Sequence, residues 1–117
     1  MRDYKKYSVW EKSHAMTLSV YQATRSFPKN EVFGLTSQIK RACSSIPMNI
    51  AEGCGRNSDK DFCRFLYIAY GSANELEYQL LLSVDLGFIE KDNGHKLLSQ
   101  VEEIKKMLNG LILKLTE

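Results

Sequence analysis

The sequence predicts an all-α protein, an antiparallel up-and-down four-helix bundle in a single domain over residues 1–117. Apolar residues recur at steps of three and four along four segments, as on the buried faces of helices. No segment shows the period-two alternation of a half-buried strand. The links between the segments are short, which favours neighbouring helices that alternate in direction.

The first helix is expected over about residues 9–25. Ser8 and Glu11 have the spacing of a capping box, in which the hydroxyl accepts the N–H of the third helical residue and the glutamate reaches back. Met16 and Val20 continue the apolar face. Phe27 precedes a proline and therefore disfavours helical dihedrals, so the helix should end before it.

The second helix carries an apolar register from Leu35 to Ile50 that runs through Pro47. A proline inside a helix removes one hydrogen bond and costs about 3 kcal/mol, so either two helices meet here or one helix kinks. The unbroken register favours one kinked helix. Gly53 or Gly55 is expected to end it in a left-handed conformation, and Gly53 is favoured.

The third helix should begin at Ser58, whose hydroxyl caps it, and end before Gly87. Asp59 and Asp61 fall in its first turn, near the positive end of the helix dipole. The helix is apolar or aromatic around most of its circumference. It therefore needs cover on more than one side.

The fourth helix has a heptad pattern of apolar residues, which is typical of packing as in a coiled coil. The pattern consists of Leu97, Val101, Ile104, Leu108, Leu111 and Leu115.

The side chains do not indicate an enzyme, a cofactor or a metal centre. His14 and His95 belong to no ligand motif, and no Glu-x-x-His of a di-iron bundle is present. The three cysteines form no C-x-x-C pair and are expected to be small buried residues. The charged first residues and the lack of a stretch of about 18 uncharged residues predict a cytoplasmic protein without a membrane segment.

The formal net charge of +2 is too small to predict nucleic-acid binding unless the basic groups cluster. A candidate nucleic-acid-binding stripe does occur, made of Lys40, Arg41, Arg56, Lys60 and Arg64. The alternative is that these cations pair with Asp59, Asp61 and Glu52. Three further polar residues are expected to point inward and to have structural roles: Asn49, Glu52 and Glu75.

Several motifs resemble the bacterial four-helix bundle proteins first noticed in intervening sequences of 23S ribosomal RNA genes. They are Gly34-Leu35-Thr36-Ser37-Gln38-Ile39, Ile46-Pro47 with Asn49-Ile50-Ala51-Glu52-Gly53, Arg64-Phe65-Leu66, Gly71-Ser72 and Glu75-Leu76-Glu77. The resemblance implies a ring-shaped homopentamer without enzymatic activity. It also suggests a relation to the accessory protein of diversity-generating retroelements, which binds nucleic acid.

Two functions follow as hypotheses. One is an oligomeric module that binds structured RNA or DNA, in which a ring multiplies a weak basic stripe. The other is an adaptor that docks a protein partner. Surplus apolar residues are the candidates for the oligomer interface: Trp10, Phe65, Tyr67, Tyr70 and Leu81.

Overall fold

A computed structural model describes residues 2–117, and Met1 of the predicted domain lies outside the described residues. The α-helices are α1 (Ser8–Thr24), α2 (Leu35–Cys54), α3 (Asp59–Asp85) and α4 (Lys91–Thr116). Short 3-10 helices cover Tyr4–Lys6 and Lys29–Glu31. No strand occurs in the described residues, and the predicted four-helix bundle is confirmed.

The helices form a square in which each packs against its two neighbours in sequence and α1 closes the square against α4. The bundle measures 43 × 24 × 19 Å. One end carries the start of α1, the α2–α3 connection and the end of α4, and we call it the Asp59 end. The opposite end carries the α1–α2 and α3–α4 connections, and we call it the Phe33 end.

The start of α1 differs from the predicted capping box. Ser8 is the first helical residue, the cap position belongs to Tyr7, and no side chain caps the helix. The short helix Tyr4–Lys6 leads directly into α1, and the carbonyl of Tyr7 already accepts the N–H groups of Trp10 and Glu11. A serine inside the first turn cannot serve as the residue that precedes it, so the capping-box interpretation is wrong.

One helix continues through Pro47, as the apolar register predicted, and Pro47 itself is buried. Gly53, however, does not end α2. It lies buried inside the last turn, the helix continues to Cys54, and its φ is not positive. A Cβ on Gly53 would lie 2.8 Å from the ring of Phe62 and 2.9 Å from Cβ of Phe65, so this glycine permits close packing of α2 on α3.

Both predicted boundaries of α3 are confirmed. The Ser58 hydroxyl accepts the backbone N–H of Asp61 at 3.1 Å. After Asp85 the chain turns at Gly87, whose φ of 80° is in the left-handed region that glycine adopts without strain.

The buried residues of α4 follow the predicted pattern up to Leu108. Beyond it the buried residue is Ile112, while Leu111 and Leu115 are only partly buried against the core. A straight helix drifts from a strict seven-residue repeat by about 20° per heptad, which moves the contact line by one position here. Gly94 was not predicted as a packing residue, but it is buried and a Cβ on it would collide with Val84.

Candidate interaction surfaces

An exposed line of residues runs along the outer side of α3. Tyr67, Gly71, Asn74, Tyr78 and Leu81 follow one another at steps of four, three, four and three, and all five are exposed. This spacing keeps residues on one side of a helix. We call these five residues the α3 face. Its large side chains remain 60% (Tyr67), 64% (Tyr78) and 47% (Leu81) exposed.

The centre of the α3 face has no side chain, because it is occupied by Gly71. A Cβ built on Gly71 would meet no atom within 4 Å. Glycine inside a helix costs about 1 kcal/mol relative to alanine. Gly53 and Gly94 offset this cost by letting neighbouring helices approach, whereas no neighbour in the protomer approaches Gly71.

Two of the five predicted interface residues, Tyr67 and Leu81, belong to the α3 face. The other three pack largely within the protomer. Phe65 is 8% exposed and lies beneath the guanidinium groups of Arg56 and Arg64, which are 4.6 and 4.4 Å from the centre of its ring.

The remaining two predicted interface residues are half-buried. Tyr70 packs against the core, with the Lys105 ammonium 5.6 Å from its ring centre. Trp10 stacks on His14 at 5.2 Å between ring centres and meets the edge of Tyr4 at 4.9 Å. Both rings therefore keep only part of their surface for another molecule.

The predicted basic stripe is split into two groups. Arg56, Lys60 and Arg64 lie at the Asp59 end. Lys40 and Arg41 lie in the first half of α2, and Arg41 is about 20 Å along the helix from Cys54 at a rise of about 1.5 Å per residue. A single phosphate backbone segment would have to follow the long axis of the bundle to reach both groups.

Carboxylates compensate two of the cations at the Asp59 end. Arg56 lies 3.4 Å from Glu52 and 3.8 Å from Asp61, and Arg64 donates to Asp61 at 2.9 Å. Glu52 and Asp61 thus pair with the stripe as the alternative to nucleic-acid binding proposed, whereas Asp59, the third carboxylate of that alternative, pairs with Arg2. Lys60 forms no ion pair within residues 2–117, and it lines an open groove of about 560 Å³.

The positive charges of Lys40 and Arg41, in the first half of α2, are less neutralised by carboxylates. Arg41 is exposed and makes no ion pair with another described residue. The Lys40 ammonium lies 5.2 Å above the ring of Tyr21, an arrangement that leaves its charge in place. Arg41 and Glu75 line a polar groove of about 490 Å³ between α2 and α3.

Of the three predicted inward polar residues, Asn49 alone is partly buried. Its amide donates to the carbonyl and the hydroxyl of Ser45 at 2.8 and 3.0 Å, and the Ser45 hydroxyl in turn bonds Ser72 of α3 at 2.8 Å. Glu52 and Glu75 are exposed instead of inward, because each lies on the outer side of its helix.

The Phe33 end carries two features that the sequence patterns did not single out. The Phe33 side chain is 95% exposed in the α1–α2 connection. An open groove of about 780 Å³ lies between the end of α1 and the start of α4. Neither feature follows from helical periodicity, since both involve residues of the connections.

Comparison with known proteins identifies the family. Residues 5–110 match the family described as 23S rRNA-intervening sequence protein. The chain belongs to this family. A crystal structure of a protein of unknown function from the S23 ribosomal protein family of Bacteroides thetaiotaomicron is similar, with 30% identity and a TM-score of 0.80. The match covers 89% of this chain and 97% of that one. A comparison with curated proteins gave no significant match.

Parts of the 23S rRNA-intervening sequence motifs quoted from the sequence lie at the α2–α3 contact in this member of the family, whereas Gly71 and Glu75 of the same motifs are exposed. Gly53 of α2 packs against Phe62 and Phe65 of α3, and the hydroxyls of Ser45 in α2 and Ser72 in α3 share a hydrogen bond at 2.8 Å. Gly53 and Ser72 therefore contribute to the packing of α2 on α3. None of the helices in residues 2–117 is both long and apolar enough to span a bilayer.

Proposed function

We propose that the protein is a non-enzymatic, self-assembling bundle whose copies associate through the α3 face into a ring, with a pentamer as the expected stoichiometry. The ring serves as a binding platform for structured RNA. The proposal depends most on one observation, the bare glycine at position 71 among exposed aromatic and apolar residues.

Self-association explains Gly71 in physical terms. An alanine at this position would favour the helix and would meet no neighbour in the protomer, so the isolated chain gains nothing from the glycine. A glycine lets the backbone of another subunit approach closely. The rings and methyl groups of Tyr67, Tyr78 and Leu81, which are exposed in the protomer, would then become buried around that contact. Aromatic residues are enriched in protein interfaces, which fits this arrangement.

The measurement is light scattering on the purified protein, with Gly71→Leu as the test variant. We expect the wild type to have about five times the 13.4 kDa chain mass, and Gly71→Leu to shift the distribution toward single chains. The matched control is Gly110→Leu in α4, where a Cβ also meets nothing within 4 Å. A monomeric wild type, or equal masses for both variants, would refute assembly through the α3 face.

Binding of RNA is supported by three cations of the predicted stripe that form no ion pair within residues 2–117: Lys40, Arg41 and Lys60. The stripe offers few such charges in each protomer, so a single copy should bind weakly. A ring repeats them, and linked weak sites bind together more tightly than either alone. Lys60 lies one turn before Arg64 at the start of α3, so its charge is repeated around one rim of a ring built on α3.

The corresponding experiment titrates a structured RNA at several salt concentrations. We expect affinity to fall with salt, because phosphate contacts release counterions, and to fall further in Lys60→Gln. Lys106→Gln is the control, since Lys106 is 77% exposed but lies 3.7 Å from Glu102. A flat salt response, or equal losses in the two variants, would refute the RNA platform.

An adaptor role is the second candidate, favoured by the exposure of Tyr67 and Tyr78 themselves. If self-association leaves these rings uncovered, they remain available to a different protein. Capture from nuclease-treated lysate separates the two functions. A partner lost in Tyr78→Glu but kept after nuclease digestion would indicate protein docking, whereas loss on digestion would indicate RNA.

A further inference from the structure

The most exposed large side chain of the protein lies next to the start of α2. Phe33 is 95% exposed and its neighbour Val32 is 52% exposed. Burial of a phenylalanine side chain is favoured by the hydrophobic effect, so an uncovered ring at a connection forgoes this stabilisation. Leu86, which is 52% exposed, lies at the end of α3 and therefore at the same end of the bundle.

A groove at the same end is open to receive such a ring. It lies between α1 and α4, which pack less extensively on each other than the other neighbouring helices do. Leu18, Ala23, Phe88 and Ile89 supply its apolar lining, and its volume is about 780 Å³. This is within the range of roughly 300–1,000 Å³ found for ligand pockets. Leu18 is 60% exposed in it.

The two features do not meet within one chain, because Phe33 is 95% exposed and is not among the residues that line the groove. Phe33 precedes α2, which is diagonal to α4, whereas the groove lies on the α1–α4 side. They do lie at the same height along the bundle. Copies related by rotation about an axis parallel to the bundle can therefore bring Phe33 of one to the groove of the next. Such a head-to-tail contact generates rings when the rotation closes.

We propose that the groove between α1 and α4 binds Phe33 of a second copy of this chain. This inference rests on the proposed self-association. In it, Phe33 of one copy is the donor side of the contact and the groove of the next copy is the acceptor side. Asp85, which continues the exposed side of α3 beyond Leu81, lies at the same end of the bundle as Phe33.

Exposed charged side chains lie near both features. Asp85 and Arg25 are exposed, and neither forms an ion pair within the described residues. Arg25 and Glu90 both line the groove, and Asp85 is the last residue of α3 at the same end of the bundle. A docked copy would bring the Asp85 carboxylate toward the Arg25 guanidinium. This pairing fixes the orientation of the contact more than it adds affinity.

The first test replaces Phe33 with the photo-reactive p-benzoylphenylalanine and mixes that protein with an isotopically heavy copy. Irradiation should join residue 33 of one chain to peptides from residues 18–26 or 88–93 of the heavy chain. Cross-links confined to one chain, to the region of residue 33 in both chains, or to other parts of the heavy chain would overturn the proposal.

The second test uses variants that each disable one side of the contact. Phe33→Asp and Leu18→Glu change exposed side chains, so both should fold, with unchanged circular dichroism. Each alone should fall to the mass of one 13.4 kDa chain. Mixed, they should form a complex of two copies, because the intact Phe33 of one fits the intact groove of the other and neither can extend further. A mixture that stays monomeric, while each variant is folded, would overturn the proposal.

Leu113→Glu is the matched control. Leu113 is 58% exposed on α4, about 33 Å along the helix from Lys91 at a rise of about 1.5 Å per residue. It should leave the mass unchanged. A wild-type oligomer that keeps its mass in Phe33→Asp would refute the groove contact alone, whereas a monomeric wild type would refute the proposed assembly as well.

Discussion

Thr17 of α1 donates a hydrogen bond to the backbone carbonyl of Cys43 in α2 at 3.1 Å. In a regular helix this carbonyl would accept the N–H of the residue four positions later. That residue is Pro47, and proline has no backbone N–H. The same hydroxyl also lies 2.7 Å from the carbonyl of Ser13 on its own helix, so its hydrogen is shared. The proline inside α2 thus leaves an acceptor that a neighbouring helix satisfies.

Replacing Thr17 by valine should destabilise the fold by about 1–2 kcal/mol, because a buried carbonyl loses its donor. In a Pro47→Ala background the same change should cost less, since the new alanine can supply the missing N–H within α2. Urea unfolding of the four proteins gives the coupling between the two sites. Equal costs of Thr17→Val in both backgrounds would show that the two residues are not coupled through Cys43.

Gly53→Ala should destabilise the bundle by about 1–2 kcal/mol. The added Cβ would meet Phe62 and the rigid Cβ of Phe65 at distances that require a shift between α2 and α3, and overpacking of this kind costs about 1–3 kcal/mol. The control is Gly110→Ala, which meets nothing and should stabilise by up to about 1 kcal/mol. Thermal unfolding distinguishes them, and equal melting temperatures would contradict the packing role of Gly53.

Ser58→Ala and Ser8→Ala should differ although both serines lie at the beginning of a helix. Ser58 accepts the N–H of Asp61, and loss of such a cap costs about 1 kcal/mol. Ser8 caps nothing, so its replacement should change stability by less than about 0.5 kcal/mol. The free energies of unfolding in urea test this difference. A larger cost at Ser8 than at Ser58 would reverse the assignment of the two caps.

Burial raises the pKa of the Cys43 thiol to about 12 from an ordinary value of 9.0. The folded protein therefore keeps a proton that the unfolded chain releases above pH 9. The stability associated with the neutral thiol is fully present below pH 9 and is lost as the pH rises toward 12, by about 1.4 kcal/mol per pH unit. Stability measured from pH 8 to 10.5 should fall less steeply in Cys43→Ala than in the wild type, and identical slopes would exclude this titration as the cause.

Periodicity predicted the helices well, because the burial of Ile39, Ile46 or Leu80 depends only on spacing along one chain. It could not predict Gly53 or Gly94 as packing residues, since their role depends on how closely two helices approach. The capping role of Ser8 was predicted wrongly for a related reason. A capping motif describes local chemistry, while the preceding helix Tyr4–Lys6 determines where α1 begins.

The candidate surfaces were predicted less well than the fold. Tyr67 and Leu81 were found because α3 has more apolar residues than one bundle can cover, but the same surplus included Phe65, which Arg56 and Arg64 cover. Phe33 was missed because a single aromatic residue in a connection has no periodic pattern. Its exposure is visible only once the path of the chain from α1 to α2 is known.

Arg2 donates to the carbonyl of Arg56 at 2.9 Å, and its guanidinium lies 4.5 Å from the centre of the Phe62 ring. Thr116 lines a cleft with Asp59 and Lys60. A fluorescent reporter or affinity handle attached near residue 2 or residue 116 would therefore leave from the Asp59 end, about 30 Å along α2 from the Phe33 end at a rise of about 1.5 Å per residue. Surface immobilisation through such a handle would present the opposite end of the bundle to solution.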